Sequence, residues 1–454
     1  MSAKKISKEE LLATCPIGKS LLTLAIPSII LSVILLLYNF IDTYFIALLN
    51  DHLALAAVGV AFPIFNFAAM LGVFFSTAAN VLVSRAYGKG NLNEAAIAAG
   101  KAFNFSFALS FFSCLLIMIF FEPILRFLGA TDAILPMSKD FSKWIVLMMF
   151  FSVPNYVISG SLRAQGFSSE VSGAFIASSL LNIVLDYVFI IKMNMGVGGA
   201  GLATAISNFA VFLFLYIFIM TNKEVKIRIP FKYFIPDYAF LKDMFITGAS
   251  SMVSSASTMI LIIAYNRAAI ILPHGELLLA AISITVKIIV VPINVAYGYR
   301  QALLTILSYS IGMNNMERFK AALRYSFSFM TIMSLIFAFL FFLLGRFIFS
   351  IFTNDSFIIE AGYYSLMTTS IFAAGLYCSN VVMAACQALG RLWSGTFSAI
   401  IRQGVLAPIL LFIMASVWGL TGFYLAPAIA DIITGIITVL MFLSIKKNLL
   451  KTVQ

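Results

Sequence analysis

The sequence predicts an all-α membrane protein built as two related bundles, and three observations carry that prediction. Of 454 residues, 62% are hydrophobic and only 10% charged, with a mean hydropathy of +1.04, far from the composition of a soluble domain. Apolar runs of the roughly 20 residues that a helix needs to cross a bilayer core recur twelve times along the chain. The two halves of the chain also resemble each other.

The spans fall at about 21–49, 53–84, 95–121, 141–162, 171–191 and 197–220, and then at 241–271, 277–309, 321–344, 358–386, 393–417 and 419–445. With the N-terminus in the cytoplasm, the inside connections hold twenty Lys and Arg and the outside ones six. The positive-inside rule therefore puts both termini in the cytoplasm, in keeping with an even span count. The longest polar break, 222–240, is Lys-rich and contains Pro230 and Pro236. It separates a first bundle, 1–221, from a second, 241–454.

Sliding one half over the other by about 222 residues aligns Ser84, Gly88, Asn91, Ala98 and Phe103 with Ser308, Gly312, Asn315, Ala322 and Phe327. Gln165, Ser172, Gly173, Phe175 and Ala177 fall on Gln387, Ser394, Gly395, Phe397 and Ala399, and Gly198 and Gly201 on Gly419 and Gly422. Six spans return the chain to its starting side, so the repeats are parallel, related by an axis along the membrane normal.

Polar residues inside the apolar runs are the candidates for chemistry. Asn182 and Asp186 are four apart in span 5 and share a helix face, and Thr204 follows in span 6. Asp42 in span 1 lies at the same depth, in the outer half of the bilayer. A carboxylate at a helix centre costs about 2.5–3.5 kcal/mol on insertion scales, so such residues usually face an interior cavity and serve a function. Two aspartates brought together in low dielectric hold either a shared proton or a cation. Asn182 and Thr204 add neutral oxygens suited to Na⁺ or to a protonated carboxyl. Tyr38, Asn39 and Asn155 are accessory polar groups of the same bundle. The competing reading makes Asp186 an interfacial residue near Lys192 and Asp42 a helix cap.

The second half does not repeat this set: Asp42 aligns with Tyr265, Asn182 with Gly404 and Asp186 with Pro408. It carries instead Lys287, Arg402 and Asp431 near the midplane. Two readings are open: a buried ion network that holds the bundle together, or a cavity in which Asp431 attracts a cationic substrate. Pro27, Pro63, Pro154 and Pro292 remove backbone donors inside spans and can bend them.

Several classes are excluded. The net charge of +11 is spread over short breaks, not clustered as nucleic-acid binding requires. The four cysteines lack metal or disulfide spacing, and His52 and His274 sit in separate loops. Gly18-Lys19-Ser20 lacks the upstream glycine of a phosphate-binding loop, with Ala13 in its place. No ATP-driven pump, hydrolase or cofactor is expected.

The stretches AIPSIILSVILLLYNFIDTYFIALL (25–49), ALAAVGVAFPIFN (54–66), SRAYGKGN (84–91), LRAQG (162–166) and GVGGAGLATAIS (196–207) together resemble the multidrug and toxic compound extrusion (MATE) family of secondary transporters. The resemblance implies two six-helix bundles in a V, with a cavity that opens alternately to either side. It implies efflux of cationic amphipathic compounds in exchange for entering H⁺ or Na⁺, by a monomer in a bacterial plasma membrane. In one branch of the family an aspartate in helix 1 and an Asn-x-x-x-Asp in helix 5 form the cation site. Asp42, Asn182 and Asp186 match it, and the Ala200 carbonyl and Thr204 match further ligands. The acidic residues that another branch carries in helices 7 and 10 have no counterpart here beyond Asp243 and Glu360 at the helix ends. A lipid-linked oligosaccharide flippase of the wider superfamily is the alternative.

Overall fold

The structure is a computed structural model that describes residues 7–49, 52–229, 236–273, 275–371 and 374–451. Those residues are almost entirely helical. A short capped helix, α1 (Lys8–Ala13), precedes α2 (Ile17–Ala47), α3 (His52–Gly88), α4 (Leu92–Ile119), α5 (Phe121–Phe127), α6 (Leu135–Ala164), α7 (Ser168–Asp186) and α8 (Gly196–Thr221). After the connection come α9 (Tyr238–Ile271), α10 (Gly275–Gly312), α11 (Met316–Phe352), α12 (Ser356–Ile371), α13 (Ala374–Leu389), α14 (Leu392–Ile400) and α15 (Ala407–Lys451). Two π-helical turns interrupt the regular hydrogen bonding, at Tyr187–Lys192 after α7 and at Ile401–Leu406 between α14 and α15. His274 and the Asn39 side chain lie outside the described residues.

Among the described residues ten helices are long and apolar enough to cross a membrane, or eleven if α12 and α13, bent by 45°, make one span. The remaining boundary is inside α15, where Gly419 has φ +58°. Only glycine takes that conformation without cost, and the Cα of Gly422 just beyond it packs so close to the Met414 carbonyl that a Cβ would sit 1.9 Å from its oxygen. The chain therefore turns there, between the two last spans expected from hydropathy.

The repeat has a backbone signature. Positive φ occurs at Gly90 and Asn314, at Gly166 and Gly390, and at Gly196 and Gly419, each pair separated by about the spacing found in the sequence. Gly88 and Gly312, aligned by the repeat, meet backbone to backbone: a Cβ on Gly312 would lie 2.9 Å from the Gly88 Cα.

The chain divides into two compact units, Met1–Gly248 with Ser308–Asn315, and Ala249–Leu307 with Met316–Gln454. The division falls beyond the polar connection because that connection is packed onto the first unit. Val225, Ile227 and Ile229 are buried, Gln165 accepts from the Lys226 and Ile227 N–H groups and donates to the Ile227 carbonyl, and Lys101 pairs with Asp237 at 3.0 Å.

Within the first unit α6 is the axial helix, packed against α3, α4 and α8. Its buried face mixes apolar residues such as Phe141, Met149 and Ile158 with small polar ones, Ser142, Ser152, Asn155, Ser159 and Ser161. This is the membrane logic of helix association, in which small residues let backbones approach. Gly160, for example, leaves no room for a Cβ beside the Ser76 carbonyl. Large apolar residues also cover the outside: Phe111, Phe112, Leu115 and Leu116 of α4 are all exposed. In the second unit, Ala264, Ala268, Ala281, Leu411, Phe423 and Ala426 form the core between α9, α10 and α15.

Candidate functional site

In the first unit α2 packs on α7, and α7 on α8, which brings three of the sequence-marked segments together. Asp42 is near the end of α2, Asp186 is the last residue of α7, and Thr204 is two turns into α8. The Asp42 and Asp186 carboxyls are within hydrogen-bond reach of each other. Each keeps a buried Oδ1 that no protein donor satisfies. Two ionised carboxylates would not sit so, and a shared proton or a bound cation between them is the arrangement that makes the contact favourable.

The surrounding groups fix the pair. Asn182, one helical turn before Asp186, is satisfied at both ends when its amide nitrogen donates to Asp186 Oδ2 at 3.0 Å and its oxygen accepts from the Thr204 N–H at 3.0 Å. The Thr204 hydroxyl donates to the Ala200 carbonyl at 3.0 Å, and Tyr38 hydrogen-bonds the same hydroxyl. Asp42, Asn182, Asp186, Ala200, Thr204 and Tyr38 are thus one contiguous cluster. Asn155 is buried in α6 and is not hydrogen-bonded to it among the described residues. The π turn begins at the residue after Asp186; such turns widen the helix and free backbone groups, and they are common at functional sites. A cavity of about 880 Å³ adjoins the cluster, lined by Tyr38, Asn182, Phe65, Tyr156, Phe175 and Asn208 among others.

The second unit is built differently at its polar centre. Arg402, on the second π turn, donates from Nε and Nη2 to both oxygens of Asp431, the latter bond at 3.1 Å. Asp431 is 0% exposed. Lys287 is exposed on α10, and the buried ion pair of this unit is formed by Arg402 and Asp431. Tyr265, which the repeat aligns with Asp42, stands against that pair. A cavity of about 1050 Å³ beside it is walled by Tyr265, Ile289, Phe337, Phe341, Phe423 and Tyr424, with Arg402 and Gln403 at one end. There it meets a second, more polar cavity of about 720 Å³ lined by Ser254, Ser255, Arg300, Ser379, Asn380 and again Arg402.

Two of these residues escape sequence reasoning. Arg300 and Arg163 read as topology charges at the inner ends of spans, yet Arg300 is 5% exposed and Arg163 is 9% exposed, the latter donating to Ser28 Oγ at 2.6 Å. The available signal was position: Arg300 lies inside an apolar run, 277–309, and Arg163 directly at the end of one, 141–162.

Comparison with known proteins agrees with this architecture. The MatE family model matches residues 27–188 and again 249–413, once in each half at the spacing of the repeat. The chain is 25% identical over 437 residues to the multidrug export protein MepA of Staphylococcus aureus, covering 96% of this chain and 95% of the relative. It is 23% identical over 433 residues to MepA of Staphylococcus saprophyticus, covering 95% and 94%. Among solved structures it is similar to a MATE crystallised in the bent conformation, with TM-score 0.91 and 24% identity over 100% of this chain and 99% of that one. A MATE in complex with MaD3S gives TM-score 0.90 and 24% identity over 99% and 100%. With the family model matching both halves of the helical repeat, the chain belongs to the MatE family of multi-pass membrane transporters and is not an enzyme.

Proposed function

We propose that the protein is a secondary active multidrug exporter, in which Asp42 and Asp186 hold the coupling ion and amphipathic cations enter the adjoining cavity of the first unit. The observation that carries this reading is the buried contact of two carboxyls, each with an oxygen left without a donor. Occupation of that contact by an entering ion and occupation of the cavity by a cationic substrate compete for the same negative charge, which is what exchange requires. Tyr38 and Asn182 belong to both the cluster and the cavity wall and link the two. The aromatic lining from Phe65, Tyr156 and Phe175 suits flat, varied ligands.

We take H⁺ as the coupling ion because a proton needs only the two carboxyls. The Ala200 carbonyl and the Asn182 oxygen each accept one hydrogen bond from Thr204 and keep a second lone pair, so Na⁺ is the alternative that the test separates. Export by alternating access, with both termini in the cytoplasm of a bacterial plasma membrane, completes the reading. It is supported by the names of the Staphylococcus relatives and by the distribution of Lys and Arg.

The test is ethidium efflux from cells or vesicles under an imposed pH gradient, with and without Na⁺. Asp42→Asn and Asp186→Asn are each expected to reduce efflux to the level of cells lacking the transporter while the protein remains folded and in the membrane. Efflux at the wild-type rate in both variants would end the proposal. Efflux that follows Na⁺ at fixed pH would leave the carboxyl pair in place and overturn the assignment of the ion.

A further inference from the structure

The two adjoining cavities of the second unit have a polarity opposite to that of the first. Arg402 lines both, Arg300 lines the more polar one, and among the described residues no carboxylate lines either. Asp431 engages Nε and Nη2 of Arg402 from behind the cavity wall, and Nη1 of Arg402 makes no hydrogen bond among the described residues. Arg300 is less compensated still. Its guanidinium lies 4.9 Å from the Tyr297 ring centroid and donates to the Met383 sulfur at 3.4 Å, and it forms no ion pair among the described residues. A thioether is a weak acceptor and the Tyr297 phenol, which also hydrogen-bonds the guanidinium, is neutral, so a guanidinium that is 5% exposed has no counter-charge among the described residues. Buried charges are normally paired, and here the further polar groups that line the cavity beside the guanidinium are Ser254, Ser255, Ser379 and Asn380. These neutral groups complete a polar lining without cancelling the charge.

We propose that this pair of cavities binds an amphipathic organic anion, with its aromatic body among Phe337, Phe341, Phe423 and Tyr424 and its carboxylate or sulfonate on Arg300 and Arg402. The geometry matches that division. The larger cavity is walled by rings and aliphatic side chains, the smaller by hydroxyls, amides and the two guanidiniums, and Thr258, Ile293, Leu376, Arg402 and Gln403 line both. An incoming carboxylate receives charge-assisted bonds from donors that are already desolvated. This site does not depend on the ion-coupling assignment in the first unit.

The experiment compares two xanthene dyes of opposite charge, fluorescein and rhodamine 123, by fluorescence anisotropy with the full chain in phosphatidylcholine nanodiscs and empty nanodiscs as the baseline. Wild-type protein is expected to bind fluorescein above that baseline. Arg300→Gln should weaken fluorescein binding by about tenfold or more, the loss of a charge-assisted hydrogen bond, while rhodamine 123 binding changes little. Arg300→Lys keeps the charge and should restore a large part of the fluorescein affinity. Because Arg300→Gln removes a buried unpaired charge, its thermal midpoint should not fall. Should that variant nevertheless fail to fold, the double variant Arg402→Met with Asp431→Leu tests the same site without leaving either charge alone, and the same dye-selective loss is expected. Wild-type fluorescein binding no greater than that of empty discs, undiminished binding in Arg300→Gln, or equal losses for both dyes would overturn the proposal.

Discussion

The two halves of this transporter share a repeat in sequence and in backbone turns but part company where each buries its charges. In the first unit two residues of the same sign face each other, Asp42 and Asp186, each with an unsatisfied oxygen. In the second, Arg402 and Asp431 form a bidentate pair at the place where Tyr265 replaces Asp42 in the alignment. Like charges in low dielectric need a third party, a proton or a cation, so the first arrangement changes state with its occupant. Opposite charges neutralise each other, so the second persists. One scaffold, duplicated, thus carries a carboxyl pair that must be loaded and an ion pair that is already neutralised.

That contrast can be broken most decisively through stability. Removing one partner of a buried pair leaves the other charge uncompensated, at a cost of about 3–5 kcal/mol, whereas replacing both by apolar residues is often neutral or better. Arg402→Met alone should therefore lower the thermal midpoint sharply in detergent, and Arg402→Met with Asp431→Leu should recover most of the loss. Asp42→Asn should behave in the opposite way, keeping stability while losing transport. A double variant as unstable as Arg402→Met alone would show that the pair is more than a mutual neutraliser.

A smaller effect tests whether the repeats are equivalent in their turns. Gly196 and Gly419 have the same φ of +58°, and neither would meet an atom within 4 Å on gaining a Cβ. Alanine at either position then costs only backbone strain, roughly 1–3 kcal/mol, Gly419 lying at ψ −135° in the mirror-β region that glycine alone takes readily. Equal shifts in thermal midpoint for Gly196→Ala and Gly419→Ala are expected. A clear inequality would mean that one of the turns is held by contacts that the other lacks.

Much of this was legible in the sequence for a physical reason. A bilayer forces spans to be long and apolar and makes an intramembrane carboxylate conspicuous, so the spans, the repeat and the Asp42, Asn182, Asp186 and Thr204 set stand out. What did not show was geometry that depends on neighbours. The π turns after Asp186 and at Arg402 have no residue signature. Arg300 was hidden by a general rule, since an arginine near an inner helix end ordinarily reports topology, and only packing reveals that this one faces a cavity. Lys287 shows the converse: depth along a span says nothing about which side of the helix faces lipid or protein, and its side chain is exposed. The amphipathic start of the chain was passed over because it is too short to span.

That start also separates the two halves, and it supplies the smallest of the expected effects. The first unit is entered through α1, whose Ser7 and Glu10 cap each other and whose Leu11 and Leu12 are buried. Lys8 bridges to Glu170 on α7 at 2.8 Å, and Glu9 accepts from Lys226 of the connection and from the Tyr87 hydroxyl of α3. The hydrogen bond from Lys226 is the main reason that the Glu9 carboxyl is held below its ordinary value of 4.5, against the opposing effect of partial burial. Because the folded value is the lower one, the contribution to stability is complete above the ordinary value and is lost as pH falls through the folded one. Glu9 is 47% exposed, and solvent screening limits such a pair to about 0–1 kcal/mol. Glu9→Gln should lower the thermal midpoint slightly at neutral pH, and the gap from wild type should close as the solution is acidified below pH 4.5. A gap that stays constant with pH would show that α1 is held by its leucines and by Lys8, with Glu9 contributing nothing as a charge.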